Sequence, residues 1–170
     1  ARMIRSSLLE VLNEDYIREF GSHGEGDGQF VWPTSIALDN AGKVYVADEW
    51  LNRISIYDKD GNFLSKWGKA GAGNGELNKP AGLAISGSTI FITDSANHRV
   101  QKFSLDGAYQ GQFGSFGSDK GQFNMPWGLA LDKEDNIYVA DWRNDRIQKF
   151  SSDGQWQASF GSSGSGVGQF

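Results

Sequence analysis

The chain has 170 residues, a formal net charge of −5 and no cysteine. That length suits one domain with a sizeable core, and the lack of cysteine excludes disulfides, thiolate metal centres and a cysteine nucleophile. Lys and Arg are scattered, against a basic nucleic-acid footprint, and no apolar run approaches the ~18 residues of a membrane span.

In chain order, residues 1–20 read as a broken copy of a later unit. Arg2–Arg5 begins a strand, and Tyr16 and Phe20 align with Phe63 and Trp67. The opening ARMIRSSLLEVLNEDY has no apolar h-region, so no signal peptide is visible. Three full units follow. Phe20–Gly21, Trp67–Gly68, Phe113–Gly114 and Phe160–Gly161 are spaced by 47, 46 and 47 residues. Gly28, Gly75, Gly121 and Gly168 keep the same spacing, and Pro33, Pro80 and Pro126 each lie five residues beyond such a glycine. The missing residue of the middle unit falls within Ser86–Asp94, where a turn absorbs it.

Each unit reads as four strands. Strand a is Ile36–Leu38, Leu83–Ile85 or Leu129–Leu131, short and apolar, as for a strand buried on both faces. Strand b is Val44–Ala47, Ile90–Thr93 or Ile137–Ala140, and strand c is Ile54–Tyr57, Val100–Phe103 or Ile147–Phe150. Strand d carries the aromatics of Phe63–Trp67, Tyr109–Phe113 or Trp156–Phe160. Strands c and d read as alternating, as expected nearer a rim. Asp60–Gly61, Asp106–Gly107 and Asp153–Gly154 are hairpin turns needing positive φ. Four strands every 46–47 residues is the signature of a β-propeller blade. The expected fold is therefore an all-β propeller with a partial N-terminal blade plus connector at 1–29 and blades at 30–76, 77–122 and 123–170, the last including the start of the next repeat.

The triplets after strand b, Asn97-His98-Arg99 and Asn144-Asp145-Arg146, lie within the frame PxGLAxxxxxxIYVxD…NxRIQKF. This frame resembles the NHL repeat over roughly residues 20–170; the first unit departs from it with Leu51-Asn52-Arg53. The other repeat propeller, WD40, is the weaker match, because no Gly-His or Trp-Asp signature occurs. The resemblance implies a six-bladed ring. It also implies one of three roles: RNA or protein recognition as in TRIM-NHL proteins, a zinc lyase, or an extracellular or periplasmic sensor domain. Three and a half blades do not close a ring. The missing part is expected either from a second copy, with residues 1–20 as a clasp, or from further blades of a longer chain.

Asp48, Asp94 and Asp141 each precede an arginine by five residues, Arg53, Arg99 and Arg146. Recurring once per blade, these pairs read as structural turn anchors rather than catalytic carboxylates. Only two histidines exist, His23 and His98, too few for a three-imidazole zinc site, so neither metal nor cofactor is expected. GEGDGQF (24–30) lacks the Lys-Ser/Thr of a P-loop and reads as a connector between blades. In an up-and-down blade the d–a and b–c connections share one face. Trp32, Glu49, Trp50, His98, Trp127, Trp142 and Arg143 fall there, joined by Asn97 and Asn144. Loop-borne aromatics among polar groups suit recognition, though they equally suit capping of blade ends. The expectation is a binding module for a protein, peptide or glycan, not an enzyme. The alternatives are an RNA-binding domain and a metal-dependent lyase or hydrolase.

Overall fold

The computed structural model describes residues 19–170; the strand expected at Arg2–Arg5 and most of the partial N-terminal blade lie outside that range. A short parallel pair, β1 (Ser22–His23) and β2 (Gln29–Phe30), folds the first connector back on itself. Three antiparallel four-stranded sheets follow. Blade 1 contains β3 (Pro33–Leu38), β4 (Val44–Asp48), β5 (Arg53–Tyr57) and β6 (Phe63–Trp67). Blade 2 contains β7 (Pro80–Ser86), β8 (Thr89–Asp94), β9 (Arg99–Ser104) and β10 (Tyr109–Phe113). Blade 3 contains β11 (Pro126–Leu131), β12 (Ile137–Asp141), β13 (Arg146–Phe150) and β14 (Trp156–Phe160). Each strand pairs with its sequence neighbour, so short turns suffice throughout.

Strand d matches the sequence reading at both ends, whereas strand a begins three residues early, at the proline. Pro33, Pro80 and Pro126 stand opposite Asp48, Asp94 and Asp141, next to a register shift. A proline is tolerated there because it opens the strand, where no ladder donor is lost. The one-residue gap lies in the a–b turn. Blade 2 closes it with Ser86 opposite Thr89, while blade 1 spans Asp39–Lys43. In the c–d hairpins Gly61, Gly107 and Gly154 sit at φ of 84°, 92° and 93°, the left-handed region that favours glycine.

Burial corrects two expectations. Strand a is fully covered only where it has blades on both sides: β7 is largely buried, but Ile36 and Leu38 of β3 are exposed, as is Trp127 of β11. Strand c does not alternate in blade 1, where all five residues of β5 are buried. In blade 1 the sheet of blade 2 covers one face of the middle strands, and Phe20, Phe30 and Phe63 cover Val44, Val46 and Tyr57 on the other. Strand a depends on a neighbouring blade.

Two of the three cores lie between blades; the third packs Phe30 of the first connector on Val44, Val46 and Tyr57 of blade 1. One joins Tyr45, Ala47, Ile54 and Ile56 of blade 1 to Leu83, Ile90, Ile92 and Phe103 of blade 2, with Leu77 from the connector. The next joins Phe91 and Val100 of blade 2 to Ile137, Val139 and Phe150 of blade 3, with Phe123. Leu77 and Phe123 are wholly inaccessible, each burial contributing about 1.5–3 kcal/mol. Trp67 is not core to its own blade. It packs on Phe103 at 5.0 Å and beneath the hairpin glycine Gly107 of the next blade. Phe113 does the same on Phe150 at 4.8 Å and beneath Gly154. The last aromatic of strand d is thus a lid for its neighbour, which explains its pairing with Asp-Gly turns one unit later.

The inner strands approach closely. A Cβ on Gly82 of β7 would lie 2.6 Å from the Trp127 carbonyl oxygen and 2.8 Å from the Leu129 nitrogen. Thr93 stitches that contact, its hydroxyl donating to the Trp127 carbonyl at 2.6 Å. Among the described residues no helix is long and apolar enough to cross a membrane.

Candidate functional site

The register puts Pro33, Asp48 and Arg53 at one end of blade 1 and places Trp67 there too, opposite Ile54. The d–a and b–c connections therefore share a face, which each blade supports by a buried carboxylate. Asp94 is inaccessible and accepts from the Asn78 amide (2.6 Å), Asn97 Nδ2 (2.9 Å), Arg99 Nε (2.7 Å) and Gln101 Nε2 (3.0 Å). Asp141 repeats the set with the Asn124 amide (2.7 Å), Asn144 (2.8 Å), Arg146 (2.8 Å) and Gln148 (3.1 Å). The guanidiniums also read connector carbonyls: Arg99 Nη2 donates to Gly73 (2.8 Å) and Glu76 (2.9 Å) while its Nη1 donates to Gln112 Oε1 (2.8 Å), and Arg146 reaches Ser118, Asp119 and Gln122. A charge-assisted cluster of this kind gives both oxygens of a buried carboxylate hydrogen-bond donors and a counter-charge, which offsets the cost of its burial.

Blade 1 is built differently. Leu51 replaces the triplet asparagine, and Ser55 replaces the buried glutamine. Asp48 instead accepts backbone N–H groups from Val31, Trp32, Trp50 and Leu51. Arg53 still binds the carbonyls of Glu25, Gly26 and Gln29, but its Nε and the Ser55 hydroxyl are buried without partners. The Asp48–Arg53 spacing is present and the side-chain ion pair is not. Ser55→Gln supplies the missing amide, and the expected gain is about 1–2 kcal/mol, read as a higher thermal midpoint.

His98 occupies the middle triplet position in the left-handed conformation (φ 55°), as do Asn52 (50°) and Asp145 (49°); Asn, Asp and His are the side-chain types enriched there. Its Nδ1 accepts the Met125 N–H at 3.1 Å across the blade boundary, and Asn52 Oδ1 accepts the Lys79 N–H at 2.8 Å in the same way. The ring also packs on Phe116 at 4.8 Å. Burial pushes the imidazole pKa below its ordinary 6.5, Asp141 pulls it up, and Arg143 pushes it down again. With the folded pKa depressed, the stabilising contribution is complete above about pH 6.5 and is lost as pH falls through the folded pKa. A drop in thermal midpoint between pH ~7.5 and ~5 is expected, and His98→Asn, the solution blade 1 already uses, flattens this site's part of it.

Of the remaining predicted residues, Trp32, Trp50, Trp127 and Trp142 keep 48%, 66%, 38% and 54% of their surface exposed. They form two groups. Trp32, Glu49 and Trp50 line a 340 Å³ hollow with Asn52, Asn78 and Lys79, and Glu49 pairs with Lys79 at 3.3 Å. At blade 3, Trp127 and Trp142 meet edge to face at 5.9 Å, and the Arg143 guanidinium lies 5.3 Å from the Trp142 ring. That pair borders a wider apolar hollow of 680 Å³ with Ile147 and Phe170. His98 is not joined to either Trp group by ring contact; its partners are Met125 and Phe116. Sequence reasoning missed Lys79, Asn78, Gln101 and Gln148. The glutamines carried a signal, seven residues after Asp94 and Asp141; Lys79 and Asn78 carried none, since they come from the following unit. Among the described residues no three His, Asp or Glu side chains converge as a metal site.

The family model for the NHL repeat matches residues 123–150, and one described as a 6-bladed beta-propeller matches 36–115. Protein lin-41 of Caenorhabditis elegans is 47% identical over 57 residues, which is 34% of this chain and 5% of that protein. Human NHL repeat-containing protein 3 is 38% identical over 65 residues, 36% of this chain and 19% of that one. The chain thus spans less than a fifth of either relative. Among solved structures, a streptogramin B lyase superposes with a TM-score of 0.61 at 23% identity, covering 85% of this chain and 44% of the lyase. Virginiamycin B lyase from Staphylococcus aureus gives 0.57 at 19% identity, covering 76% and 41%. At such identities these two establish the fold alone. Four-stranded blades at a 46–47-residue period and the two matching family models identify a β-propeller segment that carries an NHL repeat at residues 123–150.

Proposed function

We propose that this propeller segment is a recognition module that binds a protein, peptide or glycan on the face formed by its d–a and b–c loops. The observation that carries the reading is the exposure of Trp32, Trp50, Trp127 and Trp142 on that one face, beside the Glu49–Lys79 pair and Arg143. Large aromatics at rigidly anchored turns provide contact area at small entropic cost; buried Asp48 holds the Trp32 and Trp50 N–H groups, and the Asp141 cluster braces the turn of Trp142. The Trp50→Ala/Trp142→Ala protein tests it: a folded variant that binds an identified ligand unchanged contradicts the proposal.

The partner reading rests on blade 3. Phe160 and Phe170 are exposed, although the equivalent Phe113 and Phe123 are packed between blades. We infer that a further blade covers this surface, supplied by a second copy or by the rest of a longer chain. Light scattering distinguishes the two sources. Twice the 18.6 kDa chain mass supports the second copy; a monomer at all concentrations excludes it.

A further inference from the structure

The repeat itself provides an internal control on the hollow between blades 1 and 2. The positions of Trp32, Glu49 and Trp50 are held in blade 2 by Lys79, Ser95 and Ala96. Blade 2 keeps the same four-stranded sheet and the same latch across its boundary, with His98 in the role of Asn52. The fold therefore does not need two tryptophans and a glutamate at these sites. Three substitutions from two separate connections, Trp32 in one and Glu49 with Trp50 in the other, are unneeded for folding and meet at one 340 Å³ hollow, at the lower end of the ~300–1,000 Å³ range of ligand pockets.

The lining defines the ligand. Trp32 and Trp50 line it with indole rings, a residue type suited to the CH-bearing face of a ring. The exposed amide of Asn78 both donates and accepts, Lys79 Nζ donates, and Glu49 Oε1 accepts at 3.3 Å from Lys79. Glu49 is largely covered, while Lys79 is half exposed, so the charges balance within the wall. A ligand cation would have to displace Lys79. A phosphodiester strand would meet one lysine beside a carboxylate, which is poor phosphate recognition. A polyol ring, apolar on its faces and hydrogen-bonding at its edge, satisfies both kinds of wall. We propose that this hollow holds a neutral sugar unit of an oligosaccharide. The proposal rests on the recognition-face reading and narrows it to one site and one ligand class.

The test is an array of gluco-, manno-, xylo- and chito-oligosaccharides, followed by calorimetric titration of those captured. At least one is expected to bind, and Glu49→Ser/Trp50→Ala weakens it at least tenfold. That variant carries blade 2's own residues, so the fold accommodates it. Lys59→Ala, at the opposite end of the blade, leaves binding within twofold. Absence of binding across the array at millimolar sugar overturns the proposal. So does binding that survives Glu49→Ser/Trp50→Ala, or a single-stranded RNA pool that binds through Trp50 while sugars do not. Sugar binding lost on Trp142→Ala but retained in Glu49→Ser/Trp50→Ala refutes this site and leaves the broader face reading standing. Sugar binding insensitive to both variants refutes both readings.

Discussion

Asp94→Ala is expected to cost about 3–5 kcal/mol of stability, the range for breaking a buried ion pair by removing one partner. The Arg99 guanidinium would keep its place beneath the connector, its side chain only 8% exposed, with no carboxylate to neutralise it. Asn97 and Gln101 would each lose an acceptor, and the Asn78 amide would lose its only anchor in that turn. Because blade 2 lies between both other blades, the loss spreads across two interfaces. Urea unfolding followed by circular dichroism measures it, and a shift below ~1 kcal/mol would contradict the anchoring role. Asp94→Asn is expected to fall nearly as far, since its NH2 meets a donor in either orientation, the Asn78 N–H or the Asn97–Arg99–Gln101 set, and it leaves the guanidinium without a counter-charge.

Trp50→Ala/Trp142→Ala is expected to weaken ligand binding by about thirtyfold or more, since a single tryptophan hot spot is worth about 2 kcal/mol. The equivalent positions in blade 2 are Ala96 and Ser95, and both rings are mostly exposed. Unfolding should therefore be nearly unchanged, and loss of affinity reports loss of contact. Titration of wild type and variant against one captured ligand, with thermal melts alongside, separates the two effects.

The blade period, the strand order and the face shared by the four tryptophans were legible in the sequence, because short apolar strands, Asp-Gly turns and fixed spacing all report local conformation. What was not legible depends on neighbours in space. Strand a looks equally apolar in all blades, yet only β7 is covered, because only it has blades on both sides. Trp67 reads only as an aromatic closing strand d, but its ring belongs under Gly107 of the next blade. Asp48 and Arg53 keep the spacing of their counterparts without the contact, since Leu51 and Ser55 remove the side chains that complete the cluster. Lys79 and Asn78 enter the candidate hollow across a blade boundary, where spacing within one unit says nothing.

The most direct test of the recognition face is amide hydrogen exchange of the protein with and without a captured ligand. Slowed exchange is expected in the turns that follow Asp48, Asp94 and Asp141 and in the segments leading to Pro33, Pro80 and Pro126. The opposite turns, at Asp39–Lys43, Asp58–Asn62 and Asp132–Asn136, should exchange as before. Protection confined to those opposite turns would place the ligand on the other end of the blades and contradict the account.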